Sequence, residues 1–247
     1  MRPGARAGIT LVETLVALLL GLMLVQGAVG VAVRVRLLHR QVVERADLLA
    51  SVRLAASLLR TETETAMRGR DWDVFDDSLS LRAFRGTGLV CAEASVRDAL
   101  AVSYVGYRRP DPSKDSLLVV YAMGAVSVVG LAGVESGPDV CGDQPLGQGV
   151  VLRMSEPVPT GAVVARVFER GAYSISVAAL RYRRGAGGRQ PLTAEAFDTD
   201  SGWRWDGERL GVELIERVTP TSPGYRPDGT VAPPARWRIA VSGGSSP

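Results

Sequence analysis

Residues 8–33 read GITLVETLVALLLGLMLVQGAVGVAV, an apolar run broken only by Thr10, Glu13, Thr14, Gln26 and a few glycines. At 1.5 Å per residue, a helix over Ile9–Val33 is about 37 Å long, enough to cross the hydrocarbon core of a bilayer. Ahead of it stands Met1-Arg2-Pro3-Gly4-Ala5-Arg6-Ala7-Gly8, with two arginines and no acid. A basic leader followed by an apolar run is how a secretory signal begins. This run is too long for an ordinary signal core, and Arg34-Val35-Arg36 follows it in place of a small-residue cleavage site. It also contains Glu13. A carboxylate near bilayer depth costs a few kcal/mol and marks a function that needs a partner.

Gly8-Ile9-Thr10-Leu11-Val12-Glu13, followed by Thr14-Leu15-Val16-Ala17-Leu18-Leu19, resembles the prepilin motif of type IV pilins and type II secretion pseudopilins. The resemblance implies cleavage after Gly8 by a prepilin peptidase and N-methylation of the new terminus at Ile9. It also implies that Glu13 meets the N-terminal amine of a neighbouring subunit. Opposite charges interact strongly in a low dielectric and penalise subunits out of register. The family usually has Phe at the first mature position, where this chain has Ile9. Arg34, Arg36 and Arg40 flank the exported side, so the count of positive charges does not itself favour a cytoplasmic N-terminus.

Past Val33 the helix is expected to continue to about Thr65. Leu38, Val42, Ala46, Leu49, Val52, Ala56 and Leu59 recur at spacings of three and four, with Arg40, Glu44, Asp47 and Ser51 on the opposite, wet face. Gly69 reads as the stop. Such a helix is on the order of 85 Å long. Its first half lies in a membrane or filament core and its second half packs on a sheet. Gly21, Gly27 and Gly30 in the membrane half suit either close helix packing or local unwinding.

The remainder reads as strands: Leu79–Phe84, Leu100–Tyr107, Ser116–Met123, Val150–Met154, Ala162–Phe168, Ser174–Arg183, Gly211–Val218 and Arg236–Val241. Glu169–Tyr173 and Arg184–Arg189 read as turns, Thr219–Pro234 as a long surface loop, and the tail after Val241 as disordered. The expected fold is α+β: a leader at 1–8, a transmembrane helix half at 9–33, an amphipathic half at 34–68, and a β-rich head at 69–247. The pilin resemblance adds that the head is an antiparallel sheet against the helix. The segment Ala55–Glu62, and Leu180-Arg181-Tyr182-Arg183-Arg184 running into Arg189-Gln190-Pro191-Leu192, most resemble PilW-type minor pilins or J-type minor pseudopilins.

The chain has 247 residues, 46% apolar and 22% charged, with a net charge of +3. That balance demands no nucleic-acid partner. Cys91 and Cys141 form no C-x-x-C, and one histidine, His39, is too few for a Cys/His zinc site. An exported domain would join the two cysteines in a disulfide; the other reading is two buried thiols. His39 lies just outside the membrane run, so a Ser-His-Asp or Cys-His pair in the head is excluded, and neither an enzyme nor a cofactor is expected. Arg181, Arg183, Arg184 and Arg189, with Tyr182 among them, suit either phosphate contact with DNA or a solvated strand and turn. Asp198–Gly202 with Asp206-Gly207-Glu208 suits either a hard cation or plain turns, and metal ligation is not the expectation. Trp203, Trp205 and Trp237 suit either an adhesive patch or sheet packing.

The resemblance implies a minor pilin that helps to initiate or cap a type IV pilus, serving assembly, adhesion, motility or DNA uptake. The alternatives are a minor pseudopilin of a type II secretion system and a filament-displayed module that binds DNA or a surface. The implied location is the bacterial inner membrane, single-pass with a periplasmic head, and then the filament. The implied partners are prepilin peptidase, other major and minor pilins, the inner-membrane assembly platform and membrane lipid.

Overall fold

A computed structural model of the chain describes residues 10–64, 66–75, 77–93, 98–136, 141–142, 147–205, 210–218 and 233–241. Residues 1–9, with the expected leader and the expected cleavage junction at Gly8 and Ile9, most of the expected Thr219–Pro234 loop, and the tail after Val241 lie outside the described residues.

One unbroken helix, α1 (Leu11–Glu64), opens the described chain. Thr10 caps it, its hydroxyl oxygen accepting from the Glu13 amide at 3.3 Å. Thr10-x-x-Glu13 is the spacing of a capping box, and a carboxylate in the first turn also complements the helix dipole. At the other end the buried Thr63 hydroxyl bonds back to the Leu59 carbonyl at 2.8 Å. The chain then turns through Gly69, whose φ of +73° suits a residue without a Cβ.

The docked face of α1 is Leu48, Ser51, Val52, Ala55, Leu59 and Thr63. This corrects the expected stripe: Leu38 and Val42 are exposed, and Ser51, expected on the wet face, is buried. The head engages only the last part of the helix, so residues 34–44 are not the start of the packed half.

Among the described residues twelve strands follow: β1 (Trp72–Phe75), β2 (Ser78–Glu93), β3 (Ala99–Gly106), β4 (Asp115–Tyr121), β5 (Val126–Ser136), β6 (Gln148–Met154), β7 (Ala162–Ser176), β8 (Ala179–Arg184), β9 (Arg189–Pro191), β10 (Gly202–Trp205), β11 (Leu210–Ile215) and β12 (Arg236–Val241). The pairings between them are antiparallel. Strands β2-β3-β6-β5-β4-β7 form a ring, because β7 also pairs with β2. The result is a closed six-stranded barrel, with β1, β8 and β9 extending the sheet on either side of the shared β2–β7 pair. The α+β reading holds at that level, but the head is not the plain sheet of a pilin proper.

Length is the physical reason for the difference. Strands β2 and β7 are each long enough to serve two layers, and a register shift between Phe84 and Gly86 lets the pair bend from one into the other. Strand β5, not among the expected strands, supplies the wall that closes the ring. The barrel is narrow. A Cβ at Gly88 would sit 2.7 Å from Val102 Cγ2, so β2 presents bare backbone where β3 sends side chains inward.

Two separate cores result. Inside the barrel lie Val102, Tyr104, Leu117, Val119, Val129, Leu131, Val150, Leu152, Ala165 and Val167. The second core joins Leu48, Val52, Ala55 and Leu59 of α1 to Leu79, Leu81, Tyr173 and Leu180 of the extended sheet. A separate three-stranded sheet, β10-β11-β12, completes this core with Leu210, Val212, Leu214 and Ile239.

The turn expected at Glu169–Tyr173 is uninterrupted strand in β7. Gly171 lies there because the Tyr182 ring presses on its backbone, leaving no room for a Cβ. The chain reverses instead at Val177-Ala178, both at positive φ (49° and 58°).

Candidate functional site

The largest unpartnered feature is the first part of α1. Leu11 is 81% exposed, Leu18 75% and Leu24 76%, and the apolar side chains continue exposed to Val43. A helix this long and apolar is able to cross a membrane, and none of its most apolar window is buried in the chain. A Cβ placed at Gly21, Gly27 or Gly30 would meet nothing within 4 Å, so these flat spots are open to an outside neighbour.

Glu13 lies at the head of this segment. Its backbone amide is held by Thr10, and its carboxylate has no hydrogen bond or ion pair among the described residues. The capping geometry gives Glu13 a local role, and the carboxylate oxygens stay available to a second chain. His39 is on the same exposed helix, away from both cores.

The far end of α1 is locked to the head by charge. Glu62 accepts from Arg85 Nη1 at 2.8 Å, and Arg85 donates through Nε and Nη2 to Glu169 at 3.1 and 2.8 Å. Arg108 forks onto Asp115 with two 2.6 Å bonds and reaches Glu169 at 3.1 Å. The Tyr182 hydroxyl donates to Glu169 at 2.8 Å. Burial pushes the Glu169 carboxyl up, but hydrogen bonds from Arg85 and Tyr182 and the charges of Arg85 and Arg108 outweigh it and hold it below its usual value. Burial likewise opposes the Arg85 cation, while Glu62 and Glu169 hold its pKa above the ordinary one. The chain positions of these residues gave no signal: Arg85 and Glu169 are 84 residues apart. Each charged group in the network has an opposite partner. Its work is to fix where the helix leaves the head.

A groove of about 760 Å³ runs beside this junction, between Thr61–Glu64 and the barrel wall at Val105 and Tyr107. Its charged walls are largely paired, as Glu62 is to Arg85.

Cys91 and Cys141 are joined in a disulfide, with Cα atoms 5.5 Å apart. It ties β2 of the barrel to the connection between β5 and β6, far from Glu13. Asp198 Oδ1 accepts from the Asp200 amide at 3.0 Å, an ordinary side-chain-capped turn. Its expected companions Asp206, Gly207 and Glu208 lie outside the described residues. Among the described residues no three His, Cys, Asp or Glu side chains group to hold a metal. Trp203 and Trp237 pack against the helix-side core, Trp203 donating to the Asp77 carbonyl at 3.0 Å and Trp237 lying under the Arg45 guanidinium. Of the basic stretch, Arg181 donates to the Ser176 carbonyl, whereas Arg183, Arg184 and Arg189 are exposed.

The chain matches no protein-family model, no curated protein and no solved structure.

Proposed function

We propose that this chain is a membrane-anchored filament subunit of the type IV pilin-like class, acting as a minor pilin. The observation that carries the reading is one helix with two unlike halves. The end beyond Arg45 is built into the head, and the apolar beginning is exposed, with none of its most apolar window buried among the described residues, while carrying a single carboxylate five residues after Gly8. A lone charge in an apolar segment needs an opposite partner. The amine of a neighbour cleaved after Gly8 is of the right sign and at the right depth. Prepilin peptidase, other pilins, the assembly platform and inner-membrane lipid are the partners this reading requires. At 247 residues the chain implies a head larger than that of a small major pilin, which suits a minor component over a bulk one.

Two substitutions test the reading in cells that make the filament. Gly8 changed to a bulky residue leaves the leader attached, and mature protein beginning at Ile9 regardless would end the cleavage claim. Glu13→Ala leaves the chain in the membrane fraction but removes it from sheared filaments. Wild-type amounts in the sheared fraction would rule out the pairing with a neighbour's amine. Neighbouring genes for a retraction motor or for a secretin and its substrate separate a pilus from a secretion pseudopilus.

A further inference from the structure

Strand β1 is an edge of the large sheet and β10 an edge of the three-stranded one, and a cavity of about 220 Å³ between them is lined by residues of both. The Trp203 indole bridges the seam, donating to the Asp77 carbonyl at 3.0 Å. Trp72, the first residue of β1, lines the cavity and is only 3% exposed. Its backbone is fully used: the amide donates to the Met67 carbonyl at 3.3 Å, and the carbonyl accepts from the Gly69 amide at 2.8 Å. Its buried indole Nε1–H has no acceptor among the described residues. Buried polar groups are nearly always paired, so a donor left over beside a cavity calls for a partner from outside the chain.

Two charged residues of the lining also have an open position. Asp73 accepts the Val74 amide on Oδ1 at 2.8 Å, and its Oδ2 has no partner among the described residues. Arg204 donates from Nε to Glu213 at 3.2 Å and from Nη2 to the Asp200 carbonyl at 3.5 Å, which leaves Nη1 without an acceptor there. Arg68 adds a second cation to the lining, and Val74, Leu210 and Trp203 add apolar wall. A neutral N–H donor, a guanidinium donor and a carboxylate acceptor on an apolar wall suit a ligand that carries both signs of charge on a small apolar body. A purely anionic ligand would meet Asp73, and a purely cationic one would meet the two arginines. The volume is the share of roughly seven liquid waters, which limits the ligand to about eight non-hydrogen atoms.

We infer that this cavity binds a free α-amino acid with a short aliphatic side chain. The ligand's carboxylate accepts from Trp72 Nε1 and Arg204 Nη1, and its ammonium donates to Asp73 Oδ2. Its side chain lies against Val74, Leu210 and the Trp203 ring. The site belongs to the seam between the two sheets, so it stands or falls independently of the filament reading.

The test is calorimetric titration of the full chain in detergent micelles with L-valine, which has eight non-hydrogen atoms. One-to-one binding is expected. Valinamide, which lacks the carboxylate, and 3-methylbutanoate, which lacks the amine, bind at least tenfold more weakly, and glucose does not bind. Trp72→Phe keeps a ring in the core but removes the N–H. It lowers the affinity for L-valine about tenfold, the worth of one hydrogen bond to a charged acceptor. The melting midpoint of the unliganded variant does not fall, because no internal bond is lost. Asp73→Asn, at the partly exposed sheet edge, weakens L-valine but not 3-methylbutanoate, so selectivity between the two collapses. No heat with L-valine, or equal binding of L-valine and either analogue or glucose, would overturn the inference. An unchanged affinity in Trp72→Phe would do the same, as would a lowered midpoint of that variant without ligand, which would make the N–H a structural donor to internal water.

Discussion

The two cores of the head are closed in different ways. The barrel core is walled by backbone hydrogen bonds around a full ring and is further tied by Cys91–Cys141. The helix-side core has no such ring. It is an open sheet, and α1 and the separate β10-β11-β12 sheet complete it with side chains. One core is therefore complete within a continuous run of chain, while the other depends on an element that also has to serve outside the head. Whatever pulls on the free half of α1 is felt first in the helix-side core.

Leu59 is the sharpest place to break that arrangement, since it is fully buried where α1 meets the sheet. Leu59→Ala is expected to lower the unfolding free energy by about 2–5 kcal/mol, the range for buried leucines. Leu18→Ala, on the free half, is expected to change it by less than about 0.5 kcal/mol. Urea unfolding in detergent compares the two. An equal loss at Leu18 would mean that the free half already packs on the head.

The disulfide tests the other core. It closes a separation of 50 residues, which the chain-entropy relation converts to about 4 kcal/mol. Replacing both cysteines with serine is expected to lower amide-exchange protection at Val102 and Leu152 more than at Ala55 and Leu59. A uniform loss would show that the two cores unfold as one.

The seam between the cores is the Glu169 network, and acid probes it. Glu169 is held below the ordinary carboxylate value of 4.5, so its stabilisation is present above about pH 4.5 and is lost as the pH falls further. Glu169→Gln is expected to cost about 3 kcal/mol at neutral pH, because Arg85 and Arg108 lose a buried partner. The variant's stability should then fall less steeply below pH 4.5 than the parent's, as measured by denaturant midpoints across the acid range. Parallel pH profiles would remove Glu169 from the seam.

How much of this was legible in the sequence follows from how local each signal is. The helix, its apolar first half and most strand centres rest on periodicity within a few residues, and those expectations hold at the level of elements. The docked stripe was misplaced because periodicity shows a helical face only where a partner covers it, and here the cover begins near Arg45. Barrel closure was invisible, since it depends on β2 and β7 pairing across four intervening strands and on β5, whose Ser127, Gly130 and Gly133 interrupt the apolar run. The Glu62–Arg85–Glu169 junction left no trace because long-range register alone assembles it. The arginine stretch was legible as composition, but that Arg181 turns back to the Ser176 carbonyl while Arg183, Arg184 and Arg189 are exposed required the fold.

The β7–β8 hairpin was misread for a different reason, and it yields the smallest effect. Two-residue hairpin turns with both φ values positive strongly favour Asn-Gly or Asp-Gly, and this chain places Val177-Ala178 there. A β-branched residue at φ 49° is strained, and Gly171 nearby offered the more ordinary turn signal. The turn is nonetheless held, because the Phe197 amide donates to the Ala178 carbonyl at 2.8 Å and Phe197 is fully buried in the helix-side core. Ala178→Gly removes the positive-φ strain, worth about 1 kcal/mol or more, but frees the unfolded chain by about 0.4–1 kcal/mol. The net expectation is a small gain, up to about 1 kcal/mol, seen as a modest rise in denaturant midpoint with unchanged slope. Val177→Asn should add to it, since Asn tolerates the same conformation. If both substitutions destabilise, the strain is absent and the reversal lies elsewhere in the segment.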